Sequence, residues 1–259
     1  MSTTNNSEAV LAEKTLLRTT SLGKVYAIDF DFTSADQKTI LSFLQVNNYS
    51  LLGYKGATGT NQVPTGWPTW FVKPFMEMHD QVVIDCEPVY KVYAYNMANI
   101  GTNTRIQMEC LSVEIPLGKA VQFNSDGTFS VIGNANPDMI TVLNNRSLGT
   151  NNITIGLASK VNGEFTPFCA FTCKPQEIIS IKPSEKVCLF AAPTSILPGS
   201  VVGHVTAPGC SFEFDASHIG FDLQLINNTY GITSAKGGNP VIQIPSGTSL
   251  NQILNTIRS

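Results

Sequence analysis

The sequence predicts a mainly β protein: an antiparallel β-sandwich of jelly-roll type, one domain with one short helix near residues 34–47 and a C-terminal helix. Three observations carry this expectation. From residue 81 onward about a dozen short apolar runs recur at the spacing of sandwich strands. Turn residues separate them, most clearly Asn162-Gly163. No helical pattern lies between consecutive runs, so the βαβ units of a parallel fold are not expected.

Taken in order, residues 1–22 read as an N-terminal arm, with a weakly helical stretch at 7–17 capped by Ser7, and residues 23–259 as the sandwich domain. Residues 24–32 alternate, with Tyr26, Ile28, Phe30 and Phe32 on one side and Asp29 and Asp31 on the other, which predicts a half-buried strand. Thr33-Ser34 followed by Asp36 and Gln37 reads as a helix cap. Ile40, Leu41, Phe43 and Leu44 supply the apolar stripe, and Asn47-Asn48 the stop. Between residues 51 and 74 the chain carries Gly53, Gly56, Gly59, Pro64, Gly66, Pro68 and Pro74, which predicts a long loop.

Strands are then expected at 82–86, 89–95 and 105–115, the last with Ile106, Met108 and Cys110 facing in. Residues 121–123 and 128–132 flank Asn124-Ser125-Asp126-Gly127, and 153–161 and 164–171 flank Asn162-Gly163, two hairpin turns with residues suited to positive φ. Further strands are expected at 178–181, 187–191, 201–205, 210–214, 221–226 and 241–244. A closing helix at 250–257 has Ser249 as its cap.

Composition bounds the function. Of 259 residues 42% are hydrophobic, including 14 Phe and 7 Tyr, so the chain can bury a core and is not a disordered one. Only 14% are charged, against about 25% in an ordinary soluble domain. Instead 25 Thr, 21 Ser and 21 Asn take the water-facing role. The net charge is −3 and no run of Lys or Arg exists, which argues against nucleic-acid binding driven by charge. All but five charges precede residue 187; beyond it stand Glu213, Asp215, Asp222, Lys236 and Arg258. The surface of that region is therefore expected to be solvated by neutral polar groups or covered by another subunit.

The polar start Met1–Asn6 has no basic and apolar leader pattern, so synthesis in the cytoplasm without a signal peptide is expected. The uncharged window 187–212 holds Pro193, Pro198, Gly199, Gly203, Pro208 and Gly209, the chemistry of strands and loops rather than of a spanning helix. Six cysteines are too few for a disulfide scaffold and read as reduced core residues.

Chemical motifs are sparse. His79, His204 and His218 accompany no Gly-x-Ser-x-Gly elbow. Cys169 and Cys173 stand four apart in an expected strand, roughly 13 Å, too far for one zinc ion. Met76, Met78 and His79 read as strand-edge methionines beside a solvated imidazole rather than as soft-metal ligands. Gly53-Tyr54-Lys55-Gly56 lacks the closing Gly-Lys-Ser/Thr of a phosphate loop. No catalytic residue, metal or cofactor is expected.

The strongest candidate is aromatic. Tyr54, Trp67, Trp70 and Phe71, with Phe75 nearby, concentrate large apolar area and both tryptophans in the expected loop. Such a loop either presents anchors to a sugar or membrane surface or folds back over the core. Residues 153–161 alternate Ile153, Ile155, Leu157 and Val161 with Thr154, Gly156, Ala158 and Lys160, the pattern of a membrane-barrel strand and equally of a half-exposed sandwich strand. Two functional expectations follow. The first is a non-enzymatic structural protein, a homo-oligomer that self-assembles into a shell, filament or array. The alternative is a lectin-like or pore-forming protein that binds sugar or membrane through the aromatic loop.

Overall fold

Alternating β-branched and aromatic residues make the described chain mainly strand, and two hairpin turns bend it where the residues tolerate positive φ: Asn162 at 49° and Gly163 at 83°, and Gly127 at 82°. The protein is described from a computed structural model covering residues 25–59, 66–102 and 104–255; the expected arm at 1–22 lies outside these residues. In chain order the elements are β1 (Tyr26–Asp31), helix α1 (Ala35–Val46), β2 (Tyr49–Gly59), β3 (Trp67–Pro68), β4 (Phe71–Pro74), β5 (Gln81–Tyr95), β6 (Cys110–Glu114), β7 (Lys119–Phe123), β8 (Phe129–Asn134) and β9 (Ile140–Asn144). They continue with β10 (Ile153–Val161), β11 (Glu164–Pro167), β12 (Phe171–Cys173), β13 (Ile178–Pro193), β14 (Val201–Val202), β15 (Gly209–Glu213), β16 (Gly220–Leu225), β17 (Ile232–Ser234), β18 (Ile242–Ile244) and helix α2 (Leu250–Leu254).

Two sheets form a sandwich-like mainly β fold. The first runs β11-β10-β5-β1-β16-β17, with β12 added to β10 and β6 to β5. The second runs β18-β15-β13-β9-β7-β8, with β2 paired to β13 and β4 to β2. Most pairings are antiparallel, but β1–β16 and β7–β9 are parallel. The main core lies between the sheets, with Ile28, Phe30, Ile84 and Leu157 from the first and Val121, Val142, Ile181 and Leu189 from the second. A second apolar layer covers the outer face of β2 and β13, where Leu52, Tyr54, Cys188 and Phe190 meet Trp67 and the α2 residues Leu250, Ile253 and Leu254.

Helix α1 starts at Ser34, whose hydroxyl accepts the Gln37 N–H at 3.3 Å, and stops at Asn48 with φ 53°. The Gln37 amide bonds both backbone groups of Leu225, which docks α1 on the end of β16. Of the strand expected at 105–115 only Cys110–Glu114 forms, as β6, although the inward set Ile106, Met108 and Cys110 alternates with exposed neighbours as expected.

Three expectations are corrected. Of the expected loop at 51–74, the described residues 51–59 and 66–74 are largely strand: Gly53 lies inside β2 because a Cβ there would sit 2.2 Å from the Phe71 ring, so the glycine admits a close neighbour rather than breaking the strand. The runs at 82–86 and 89–95 are one strand, β5, as are 178–181 and 187–191 in β13. Pro88 and Pro183 are tolerated because each falls where the pairing register shifts, against β10 and β2 respectively, so no ladder hydrogen bond is asked of the proline nitrogen. Finally β1 and β10 are not half-exposed. Both are interior strands of the first sheet with both faces covered, and Ala27, Asp29, Thr154 and Ala158 are buried along with the apolar set.

Gly156 marks the tightest backbone approach in β10. A Cβ there would lie 2.0 Å from the Cys169 carbonyl oxygen, which accepts the Tyr93 hydroxyl at 2.7 Å. Gly156→Ala is expected to cost about 1–3 kcal/mol by overpacking, read by urea unfolding. Gly133→Ala, where nothing lies within 4 Å, should change stability by less than about 0.5 kcal/mol.

Candidate functional site

The period of two along β2 sends Leu52 and Tyr54 to the outer face and Leu51, Lys55 and Ala57 between the sheets. This divides the expected aromatic set. Tyr54 stacks on Phe190 with ring centroids 5.5 Å apart, and its oxygen accepts the Thr69 hydroxyl at 3.0 Å. Trp67 donates from Nε1 to Asn251 Oδ1 at 2.5 Å and so ties β3 to α2. Trp70 and Phe71 turn into the main core and meet edge to face at 5.6 Å. None of the four is more than 5% exposed, so their rings pack the protein in the manner of a folded-back segment and offer no open face to a sugar or lipid.

Of this set the structure brings only Trp70 to a chemically unusual place. Lys55 is 1% exposed, and its ammonium bonds Glu185 Oε2. The other carboxylate oxygen, Oε1, accepts the Tyr90 hydroxyl at 2.5 Å. Around the ammonium stand Trp70, Phe168 and Tyr90, with Nζ 5.4, 5.7 and 6.0 Å from their ring centroids, an arrangement that favours a cation by the negative faces of the rings. The Trp70 Nε1 donates to the Ser159 carbonyl at 3.3 Å, while the Ser159 hydroxyl, fully buried, has no partner among the described residues. Burial, and then the adjacent Glu185 charge, raises the Tyr90 phenol well above its ordinary pKa, so it stays a hydrogen-bond donor.

Glu185 reaches this position because β13 bulges between Pro183 and Val187 against β2, which turns the residue inward while its backbone carbonyl still accepts the Phe214 N–H at 3.1 Å. Its carboxylate is 20% exposed and borders a cavity of about 380 Å³ with Thr58, Ser184, Lys186, Glu213 and Asn255. The carboxylate thus joins a dry interior on one side to a wet recess on the other. Nothing local in the sequence pairs Lys55 with Glu185, 130 positions away; the one local sign was the break in alternation at Pro183-Ser184-Glu185-Lys186.

The other candidates separate. His218 and Asp215 do come together, with Nδ1 at 3.0 Å from Asp215 Oδ2, and Ser217 Oγ is 3.1 Å from the same nitrogen. A nucleophile relay needs the acid and the hydroxyl on opposite ring nitrogens. This group is instead a surface turn in which hydrogen bonds from Ser217 and then His218 hold the Asp215 carboxyl well below the usual carboxylate range. Met78 is buried while Met76 and His79 are exposed, so the three do not converge. No group of three metal-ligating side chains occurs among the described residues, and no described helix is long and apolar enough to cross a membrane.

Apolar side chains reach the surface elsewhere. Strand β6 ends on one side of β5 and β8 ends the second sheet beside it. Here Val113 is 73% and Val131 54% exposed, with Leu111 and Ile132 also exposed. The folded chain is thus a two-sheet β protein with a caged ion pair inside and apolar strand edges outside. Comparison with known protein families, curated proteins and solved structures finds no match in any of the three.

Burial pushes the Cys169, Cys173 and Cys188 thiols up to about 12, and raises Cys86 and Cys210 too. Thiolate is therefore scarce at these five buried sites near pH 8; burial and then Glu109 raise Cys110 as well, but it is half-buried and so the accessible one. Alkylation of native protein at pH 8, followed by peptide mass analysis, is expected to label Cys110 first. All six should react at similar rates once the chain is unfolded.

Proposed function

We propose that this is a non-enzymatic structural protein that self-assembles into a closed or extended homo-oligomer through the edges of its second sheet. The observation that carries the reading is β8. It is an edge strand of sequence Phe-Ser-Val-Ile-Gly-Asn with five of its six residues exposed and neither charge nor proline. Edge strands of soluble monomers usually carry such gatekeepers, because their unpaired N–H and C=O groups template pairing with another chain. At the opposite end of the same sheet, β18 is also uncharged and exposes Ile242. Two different free edges on one sheet suit head-to-tail addition, which closes into a ring or runs on as a filament.

The exterior supports the same reading. Between residues 187 and 255 most exposed positions are Pro, Ser, Thr, Asn, Gln or Gly, with Asp215 and Lys236 the only exposed Asp, Glu, Lys or Arg among the described residues. Copies can approach such a surface with little like-charge repulsion. The alternative, sugar or membrane binding through Tyr54, Trp67, Trp70 and Phe71, has less support because those rings are buried.

Native mass spectrometry and negative-stain imaging over a range of concentrations test the proposal, which a monomer at every concentration would overturn. The double variant Val131→Lys, Ile132→Lys is expected to raise the concentration needed for assembly by about tenfold or more, each tenfold being about 1.4 kcal/mol. Its circular dichroism should stay that of the parent.

A further inference from the structure

We propose that Lys55 and Glu185 condense into a covalent amide that staples β2 to β13 inside the sandwich. The inference stands apart from the assembly proposal and rests on the caged pair alone.

Four features of the site converge on this chemistry. First, the amine and the carboxyl group are already in contact on adjacent strands, so their encounter carries none of the entropic cost of a bimolecular step. Second, the ammonium is 1% exposed and walled by Trp70, Phe168 and Tyr90. Holding the ammonium charge in such a place is unfavourable before its attraction to Glu185 is counted, and an amide removes both charges at once. Third, the Tyr90 hydroxyl donates to Glu185 Oε1 at 2.5 Å, where negative charge would develop when the carboxyl carbon becomes tetrahedral. Fourth, Glu185 borders the cavity of about 380 Å³, which gives the released water a way out and leaves the rings to shield the new bond from hydrolysis.

The step balances without any further reactant. The Lys55 ammonium passes one proton to Glu185 Oε2, which leaves a neutral amine beside a neutral carboxylic acid. The Nζ lone pair forms a bond to Cδ, and the charge that gathers on Oε1 is held by the Tyr90 hydroxyl. Nζ then gives a second proton to the Oε2 hydroxyl, the Cδ–Oε2 bond breaks, and the Cδ–Oε1 double bond reforms. Ammonium and carboxylate have become one amide N–H and one carbonyl, with one water lost and no change in oxidation state.

The test is intact mass under denaturing conditions. Wild-type protein is expected to weigh one water less than its sequence, and Lys55→Arg, which keeps the cation but removes the amine nucleophile, to match its own sequence. A tryptic digest of the wild type should show no cleavage after Lys55 and should contain one peptide in which residues 55 and 185 are joined, a readout that needs no variant to fold. Tyr90→Phe is expected to slow formation of the linked species by about 100-fold, the usual loss for one donor of this kind. Wild-type protein that keeps the full sequence mass and a cleavable Lys55 after prolonged incubation would overturn the proposal. So would a water loss that maps to any other pair, while linkage at undiminished speed in Tyr90→Phe would overturn the role given to Tyr90.

Discussion

A buried lysine is the constraint around which this sandwich is arranged. Lys55 reaches the interior because strand parity puts it there, and a charge so enclosed is tolerated only if paired and surrounded by suitable groups. The two longest strands supply those groups at their irregular points. Strand β13 bulges after Pro183 and delivers Glu185; β5 passes through Pro88 and delivers Tyr90 two residues later. Both strands also change neighbours near here, β5 from β1 to β6 and β13 from β9 to β15. The bulges that let each strand serve two partners are thus the same features that aim the partners of Lys55. Trp70 and Phe168, both members of the main core, complete the cage.

The aromatic residues of β2 to β4 follow from the same arrangement. One tryptophan faces the cage and the other faces α2, so a single short segment closes both sides of the second sheet. Trp67 and α2 cover the outer face of that sheet over β2 and β13, and its two edges stay open. Exposed apolar residues do occur on those edges, Val131 and Ile132 on β8 and Ile242 on β18, and on the neighbouring β6. The few charges of the exterior and the uncharged edge strands are the features on which the proposed self-assembly rests.

How much of this was legible depended on whether the cause was local. Helix α1 was readable because its start and stop are written within its own ends, in Ser34 and Asn47-Asn48. The 162–163 hairpin was readable because positive φ is a property of Asn and Gly themselves. Strand β2 was not, because Gly53 and Gly56 resemble loop residues until the Phe71 ring and the Leu254 carbonyl arrive beside them. The continuity of β5 and β13 was hidden for the same kind of reason: a proline interrupts a strand only if its nitrogen is needed by a neighbour, and the neighbour is not in the local sequence.

The sequence by itself determined the β class, the sandwich-like packing, the first helix and its caps, and the shortage of charge beyond residue 187, since alternation, turn chemistry and composition act over a few residues or over the whole chain at once. Tertiary structure alone decided which faces the aromatic residues take and that Lys55 meets Glu185. Trp67 and Trp70 are three positions apart yet lie on opposite sides of a sheet, and the ion pair joins residues 130 apart. Such choices depend on register and bulges between distant strands, where a shift of one residue exchanges inside for outside.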